Sequence, residues 1–243
     1  MVNSRPGFRP LIPRLPASWH SCLLCENPAQ GTALCQGCLG DLPWNTGSCE
    51  RCALPLASGQ NLCAACLQQS PAQILTLAPL RYEFPVDHLV AGLKYHGALA
   101  HAPLLGELLR RQLADRNHPA PDLLLPVPLH EKRLAERGYN QALEIARPLA
   151  RHFGLGLETQ LLQRCKATLP QMQLDAAARS RNPHGAFTVN AKRLQLLRAS
   201  GRTDRVAVID DVMTTGATLA EITGQLLHAG IAHVELWVVA RTP

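Results

Sequence analysis

Eight cysteines arranged as four C-x-x-C pairs constrain the first third of the chain more than any other feature of its sequence. Nine, ten and ten residues separate one pair from the next, and the pairs are Cys22/Cys25, Cys35/Cys38, Cys49/Cys52 and Cys63/Cys66. Two residues between cysteines let both thiolates face one ion, and two such pairs complete the tetrahedral sulfur shell that Zn²⁺ prefers. The pattern therefore predicts two structural zinc sites.

Paired cysteines have two other interpretations, and both fit this chain less well. Disulfides need an oxidising compartment, which nothing in the N-terminal sequence indicates, and a redox C-x-x-C is one pair beside a βαβ unit, not four pairs in series. Which pairs share an ion stays open, because sequential sites are simplest but a nested arrangement also satisfies the chemistry. The ninth cysteine, Cys165, is expected to be buried as a small apolar residue.

Residues 1–20 predict neither an export signal nor a membrane anchor. They carry Arg5, Arg9 and Arg14 without an acidic residue, but prolines interrupt every apolar run. Nowhere does the chain approach the roughly 18–20 consecutive apolar residues of a membrane span. We therefore expect a flexible N-terminus on a cytoplasmic protein that is not inserted in a membrane.

The most informative stretch of the remaining chain reads VAVIDDVMTTGATL, residues 206–219. Its apolar run Val206–Ile209 predicts a strand buried on both faces of a parallel sheet. Asp210 and Asp211 follow at the carboxyl end of that strand, where two adjacent like charges offer no evident structural benefit. A tight turn of threonines and a glycine then leads into a helix from Ala217 to His228.

This order of groups predicts a site for a phosphate beside a diol. The turn aims backbone N–H groups and threonine hydroxyls at one spot, where the helix dipole adds positive potential. The carboxylates accept hydrogen bonds from a diol or hold Mg²⁺ through water, so ribose 5-phosphate suits the pair. No P-loop lysine and no G-x-G-x-x-G is present. A capped helix with two solvated aspartates is the simpler alternative.

A second strand, polar turn and helix lie earlier in the chain. Leu123–Val127 predicts a buried strand, and the loop after it carries His130, Lys132, Arg133 and Arg137 before a helix that runs from Gly138 through Ala150. Adjacent strand ends of an open parallel sheet meet at a switch-point crevice. We therefore expect the loop after Val127 to face the loop after Ile209, one holding pyrophosphate and the other the 5-phosphate.

A long polar stretch separates two short predicted strands, Leu161–Leu162 and Ala186–Val189. Its polar residues are Arg164, Lys166, Thr168, Gln171, Arg179, Arg181 and Asn182. Residues 129–186 hold nine Lys or Arg against five Asp or Glu, a large part of the formal net charge of +6. A lid that closes over a phosphate-rich ligand and a surface hairpin with solvated charges both explain this composition.

Several motifs together resemble the ComF/GntX family, in the order LPVPLHEKRLAERGYNQ, LLQRCKATLPQMQLDAAARSRNPHGAF and VIDDVMTTGATL. The stretch GLKYHG also matches, so the resemblance spans about residues 20–242. The last motif is similar to the phosphoribosyl-diphosphate (PRPP) motif of type I phosphoribosyltransferases. Departures are small: Tyr139 stands where Phe is usual, and Met213 and Pro183 are less common choices.

The resemblance implies an α/β fold in two parts. A parallel-sheet type I phosphoribosyltransferase (Rossmann-like) domain at residues 79–243 would follow a small Cys-rich double zinc ribbon at residues 21–70. If the two domains fold separately, loss of the second zinc site by Cys49→Ser would leave the PRPP site largely intact.

The resemblance also implies roles for individual residues. Asp210 and Asp211 would bind the ribose hydroxyls and position Mg²⁺ during catalysis. The 5-phosphate would be held by the turn and first helical residues, Thr214, Thr215, Gly216, Ala217 and Thr218. Pyrophosphate would meet Arg133 and the backbone from Pro128 to His130, with Lys94 a weaker candidate. Arg137 is a further candidate, although with Asn140 and Gln141 it could instead brace the helix. The closing loop would supply Arg164, Lys166, Gln171, Arg179 and Asn182.

Three functions remain open at this point. A phosphoribosyltransferase would displace pyrophosphate from PRPP by an acceptor that the sequence does not identify. A DNA-uptake factor would instead present zinc ribbons and basic loops to single-stranded DNA or to a DNA-translocating helicase, although aromatic stacking residues are sparse. A regulator would bind PRPP without turnover.

Overall fold

The computed structural model describes residues 21–29, 33–57, 60–114, 119–166, 185–201 and 203–243. The chain divides between Asp41 and Leu42 into two compact units. The predicted boundary at residue 70 stays a prediction, but the division into compact units places the second group of four cysteines in the same unit as the sheet. Arg179, Gln171 and Asn182 lie outside the described residues, as do the first twenty.

The first unit contains one short described helix, α1 (Gln36–Gly40). Cys35 caps its N-terminus, and the Cys35 sulfur accepts a hydrogen bond from the backbone N–H of Cys38. A single antiparallel bridge joins Ser21 to Pro28 around the first cysteine pair. The unit is therefore organised around its cysteines.

The second unit alternates strands and helices. Its described helices are α2 (Ala64–Gln68), α3 (Val86–Tyr95), α4 (His101–Ala114), α5 (Glu131–Arg137), α6 (Gln141–Phe153), α7 (Ala191–Ala199) and α8 (Ala217–His228). Its described strands are β1 (Leu75–Leu77), β2 (Leu80–Arg81), β3 (Leu123–Pro126), β4 (Gly156–Leu157), β5 (Leu162–Arg164), β6 (Phe187–Val189), β7 (Arg205–Met213) and β8 (His233–Arg241). The longest of these helices, α4, falls short of the roughly 20 residues that a membrane crossing needs.

Six of the described strands form one sheet with the order β1-β8-β7-β3-β4, and β2 also pairs with β8. Every pairing in this sheet is parallel. From β3 the chain returns through helices to β4 on one side, whereas from β7 it returns through α8 to β8 on the other side. The carboxyl ends of β3 and β7 therefore flank the topological switch point, as the sequence predicts.

Burial explains why β7 and β8 are the central strands. Val206–Ile209 is fully buried, and from Val234 to Arg241 each residue of β8 is buried. Strands covered on both faces have continuous apolar runs in their sequence, which is why the predicted strand His233–Arg241 agrees with the structure. The predicted helix Ala217–His228 agrees with the structure as well. β5 and β6 lie apart from the main sheet as an antiparallel pair.

Three local predictions differ from the structure. The cationic segment after β3 is the helix α5, capped by His130 at one end and by Gly138 at φ 80° at the other, and not a loop. The carboxylates do not follow β7 but belong to it, because the strand continues to Met213, which pairs with Arg241. Cys165 is exposed, not buried, with its sulfur 3.3 Å from the Thr188 hydroxyl.

Candidate phosphate site and metal centres

The first four cysteines form one cluster in the first unit. Their ligand atoms all lie within 4.8 Å of one another, and the members are Cys22, Cys25, Cys35 and Cys38. The Cys25 and Cys35 sulfurs are 3.7 Å apart. Backbone N–H groups of Leu24 and Cys38 donate to the Cys22 and Cys35 sulfurs, an arrangement that favours thiolates.

The last four cysteines form the equivalent cluster in the second unit, with members Cys49, Cys52, Cys63 and Cys66. The Cys52 and Cys63 sulfurs are again 3.7 Å apart, and the N–H of Cys66 donates to the Cys63 sulfur. The pairing is therefore sequential, first pair with second and third pair with fourth. This settles the alternative that the spacing left open.

Both clusters fit a tetrahedral zinc ion. Four sulfurs at about 2.3 Å from one ion lie roughly 3.8 Å from each other, and the measured separations agree. Burial opposes ionisation of Cys22 and Cys49, but backbone hydrogen bonds outweigh it and lower the pKa of Cys22 to about 6 and that of Cys49 to about 7. All positions are filled by protein sulfur, so the two four-cysteine zinc-binding sites are structural.

The second four-cysteine site shares the core of the sheet. Ala53, which follows the site's second cysteine, is completely buried in the same apolar cluster as Val208, Met213 and Val238. The side-chain amide of Asn45 donates to the carbonyl oxygens of Ala53 (2.9 Å) and Ala78 (3.1 Å). The loop around this zinc site is thus fixed to the start of the sheet.

The two adjacent carboxylates have different surroundings at the end of β7. Asp211 is buried, with 3% exposure, and its Oδ1 lies 2.9 Å from the Lys94 ammonium of α3. Its Oδ2 is buried without a hydrogen-bond partner among the described residues. Lys94, a weak candidate from sequence, is therefore the direct counter-ion of one carboxylate, and this pair is a structural benefit that the sequence did not reveal.

Asp210 is the carboxylate that is costly to ionise. Burial and the neighbouring charge of Asp211 raise its pKa to about 7, against the opposing effect of Lys94 and Arg164. Burial also opposes the charge of Lys94, but the charges of Asp211 and Asp210 outweigh it and raise the Lys94 pKa. Titratable groups with shifted pKa values and specific partners are typical of binding and catalytic sites.

The turn after β7 has the geometry of an anion site. Gly216 has φ 80°, a backbone conformation that a residue with a side chain rarely adopts. The Ala217 N–H lies 3.4 Å from the Thr215 hydroxyl oxygen, and α8 begins at Ala217. Thr214 to Thr218 therefore surround the N-terminus of a 12-residue helix, where an anion is favoured.

Cations from three other elements lie near the same strand ends. Burial and the charge of Arg133 lower the pKa of Arg164, while Asp210 acts in the opposite direction, so these three charges are close. Lys94, Arg133 and Arg137 line one cleft of about 330 Å³. Pro128, His130 and Arg164 line another of about 720 Å³. The structure thus distributes the predicted pyrophosphate residues, together with Arg164 of the predicted closing loop, over two clefts beside α5.

Other predicted residues have local structural roles as well. Arg137 donates to the Gln141 side chain, and Asn140 caps α6 while donating 3.0 Å to the Val127 carbonyl. The His130 Nδ1 accepts from the Lys132 N–H. The Lys166 ammonium lies 3.1 Å from where a Cβ on Gly185 would be, so the end of its side chain is close to Gly185. Sequence reasoning missed Tyr82, whose pKa is raised by burial although the charge of Lys94 opposes this.

Comparisons with known proteins agree with the cysteine pattern and with the motifs. Residues 14–67 match the model of the double zinc ribbon domain. The chain is 34% identical to DNA utilization protein YhgH of Salmonella typhi, over 91% of this chain and 96% of that protein. It is 30% identical to competence protein F of Haemophilus influenzae, over 86% of this chain and 90% of that protein. A crystal structure of TT1426 from Thermus thermophilus is 18% identical, covers 58% of this chain and 83% of that one, and has a TM-score of 0.34.

Proposed function

Because this chain belongs to the ComF/GntX family of competence protein F and the DNA utilization proteins, we propose that it binds PRPP with Mg²⁺ and serves DNA uptake or utilization. The observation that carries the proposal is the meeting of two carboxylates, a helix N-terminus and several cations at the β3–β7 switch point. PRPP carries a diol, a 5-phosphate and a pyrophosphate, and each has a matching group there. We assign the protein to the cytoplasm, where its thiols stay reduced.

The proposed contacts divide the ligand among the elements of the site. The turn from Thr214 to Thr218 would hold the 5-phosphate, and Asp210 with Asp211 would accept hydrogen bonds from the ribose hydroxyls. The Oδ2 of Asp211, which has no hydrogen-bond partner in the described part of the chain, is an oxygen of the kind that Mg²⁺ prefers. Bound Mg²⁺ would supply positive charge against the pyrophosphate.

Transfer would be a displacement at the anomeric carbon of the ribose. The bond from that carbon to pyrophosphate breaks as the bond from the acceptor forms, and the leaving group takes the electron pair. Arg133, Arg164 and Lys94 would stabilise the charge of the leaving pyrophosphate, which is supported by the electrostatic effect of Arg133 on Arg164 and by the cleft that Lys94 and Arg133 share. The acceptor is not defined by any group in the site, so binding is proposed first and turnover second.

Calorimetry with PRPP and Mg²⁺ at pH 8 tests the proposal, with Asp210→Asn as the site variant. The loss of a charged acceptor is expected to weaken binding by about tenfold or more. Asp204→Asn is the matched control, because Asp204 is exposed and directly precedes the opposite end of the same strand. Failure of the parent chain to bind PRPP, or equal affinity of the parent and Asp210→Asn, contradicts the proposal.

A pyrophosphate-release assay over candidate acceptors separates an enzyme from a sensor. Release of pyrophosphate by the parent but not by Asp210→Asn identifies a phosphoribosyltransferase. Binding of PRPP without release across the acceptors favours a regulator.

A second candidate function is direct contact with single-stranded DNA. Phe84 and Tyr95 are exposed at 73% and 59%, and the Arg137 guanidinium lies 5.8 Å from the centre of the Tyr95 ring. An exposed ring beside a cation suits base stacking next to a phosphate backbone. Fluorescence anisotropy with a labelled oligonucleotide tests this, and Tyr95→Ala is expected to weaken binding severalfold. A helicase partner would be sought only if the oligonucleotide binds.

A further inference from the structure

The side chain of Arg241, at the end of β8, connects the candidate phosphate turn to the second four-cysteine site. It is 9% exposed, although β8 otherwise consists mainly of apolar residues from Val234 onward. A guanidinium is expensive to bury unless several acceptors surround it. The acceptors that surround the Arg241 guanidinium therefore show which contacts offset the cost of burying its charge.

On one side, the guanidinium holds the beginning of the phosphate turn. Its Nη1 donates to the carbonyl oxygens of Met213, Thr214 and Thr242. The backbone N–H of Thr242 also donates to the Met213 carbonyl at 3.0 Å. The two residues that lead from β7 into the turn are thus fixed by one side chain and its neighbour.

On the other side, the same guanidinium holds the second four-cysteine site. Its Nε donates at 3.2 Å to the carbonyl oxygen of Cys52, a zinc ligand. Four thiolates around one divalent ion leave a net negative charge of about −2, which attracts a neighbouring guanidinium. An ion that holds the Cys52 sulfur would also restrain the Cys52 carbonyl, so an intact zinc site would help to fix the guanidinium from this side.

We infer that Arg241 is a positioning residue for the 5-phosphate turn, and that the second zinc site, acting through Arg241, is part of the PRPP-binding apparatus. The inference rests on the proposed function for its ligand, but the connection itself is a property of the ligand-free chain. The planar fork of arginine is required, because it reaches the Cys52 carbonyl and the turn carbonyls from different nitrogens.

The first test measures the turn without a ligand. Hydrogen exchange of peptides covering residues 211–219 is compared in the parent, Arg241→Met and Cys66→Ser. Cys66 is chosen because it ligates the second zinc ion but no hydrogen bond joins it to Arg241 among those described. Faster exchange of these peptides is expected in both variants, together with unchanged exchange in α4.

Cys38→Ser is the matched control, because Cys38 is the fourth ligand of the first site, in the separate compact unit. It is expected to lose one zinc ion, as Cys66→Ser does, without faster exchange in residues 211–219. Equal acceleration in Cys38→Ser and Cys66→Ser would show that loss of any zinc ion loosens the chain, and would overturn the inference.

The second test distinguishes positioning from general destabilisation. Arg241→Met is expected to retain two zinc ions and to bind PRPP and ribose 5-phosphate between about tenfold and a hundredfold more weakly. Inorganic pyrophosphate lacks a 5-phosphate, so its affinity should stay at the parental value. Arg241→Lys, which keeps the charge without the fork, should fall between the parent and Arg241→Met.

A double variant shows whether Arg241 carries the connection. If it does, Cys66→Ser adds little to the loss of PRPP affinity once Arg241→Met is present. Additive losses, or parental PRPP affinity in Arg241→Met, overturn the inference. If the parent itself fails to bind PRPP, the proposed function is wrong, and the exchange of residues 211–219 alone decides whether Arg241 connects the zinc site to the turn.

Discussion

The two four-cysteine sites have nearly the same ligand spacing but differ in what surrounds them. In the first site Cys25 is exposed and two other ligands are half-buried, whereas in the second site three of the four ligands are buried. The first site belongs to a small compact unit of its own, and the second lies in the unit that contains the sheet. The spacing of the cysteines therefore identifies the ion but not the structural role of the loop that holds it.

Hydrogen bonds from side chains to backbone carbonyls explain how the second site becomes part of the larger unit. The Arg51 side chain donates to the carbonyls of Gln73 and Ile74, and the Thr76 hydroxyl donates at 2.7 Å to the Arg51 carbonyl. Thr76 belongs to β1, which pairs with β8. The third cysteine pair is thus attached to an edge strand of the sheet.

The largest expected difference between the two sites is in stability. Cys49→Ser should remove one zinc ion and lower the free energy of unfolding of the larger unit by about 3 kcal/mol or more, because metal binding and folding of this loop are coupled. The matched variant Cys22→Ser should remove the other ion and leave the main thermal transition in place. Calorimetric melting with zinc analysis measures both, and equal shifts in the main transition would remove the distinction.

A smaller effect is expected from Asn45→Ala, which leaves both metal sites chemically intact. Two buried carbonyls, those of Ala53 and Ala78, lose their amide donor. The Asn45 Oδ1 is itself buried without a hydrogen-bond partner among the described residues, so its removal offsets part of the cost. We expect a loss of about 1–2 kcal/mol in the main transition.

Asn61→Ala is the control for this change, because Asn61 is an exposed residue of the same ribbon. Zinc content should be two ions in both variants. A main transition at the parental temperature in Asn45→Ala would mean that the ribbon contributes little to the sheet through this contact.

The smallest expected effect depends on pH and concerns the larger unit alone. The pKa of Asp210 is raised to about 7 in the folded chain, so ionisation of Asp210 lowers stability as pH rises from about 4 through 7. Asp210→Asn should therefore be more stable than the parent at pH 8 and equally stable below about pH 4. Thermal unfolding from pH 4 to 8 measures this, with Asp204→Asn as the control. A stability difference between Asp210→Asn and the parent that does not change with pH would argue against a raised pKa of Asp210.

Continuous local patterns were sufficient to predict several elements of the fold. The apolar runs Val206–Ile209 and His233–Arg241 indicated two central strands, and Gly216 marked the start of α8. α5 was missed because its sequence EKRLAER offers little apolar periodicity. Its ends are set instead by a histidine cap and by a glycine with positive φ, signals that are weak in a cation-rich segment.

Long-range contacts account for what the sequence could not predict in the candidate site. Lys94 reads as an ordinary helical cation, because its partner Asp211 is brought to it only by the packing of α3 near β7. The same holds for Arg241 and Cys52, which are 189 residues apart. By contrast, the meeting of the loops after β3 and β7 followed from the parallel-sheet rule, since it depends on topology and not on particular side chains.

The place of β8 in the sheet sets an order of events during synthesis. Among the described strands β8 is the last to be made, yet it lies between β1 with β2 on one side and β7 on the other. All four ligands of the second zinc site have left the ribosome long before β8 is available. The second four-cysteine site can therefore bind its ion and fold early in synthesis. The sheet that it packs against, and with it the phosphate turn, is completed only after translation of β8.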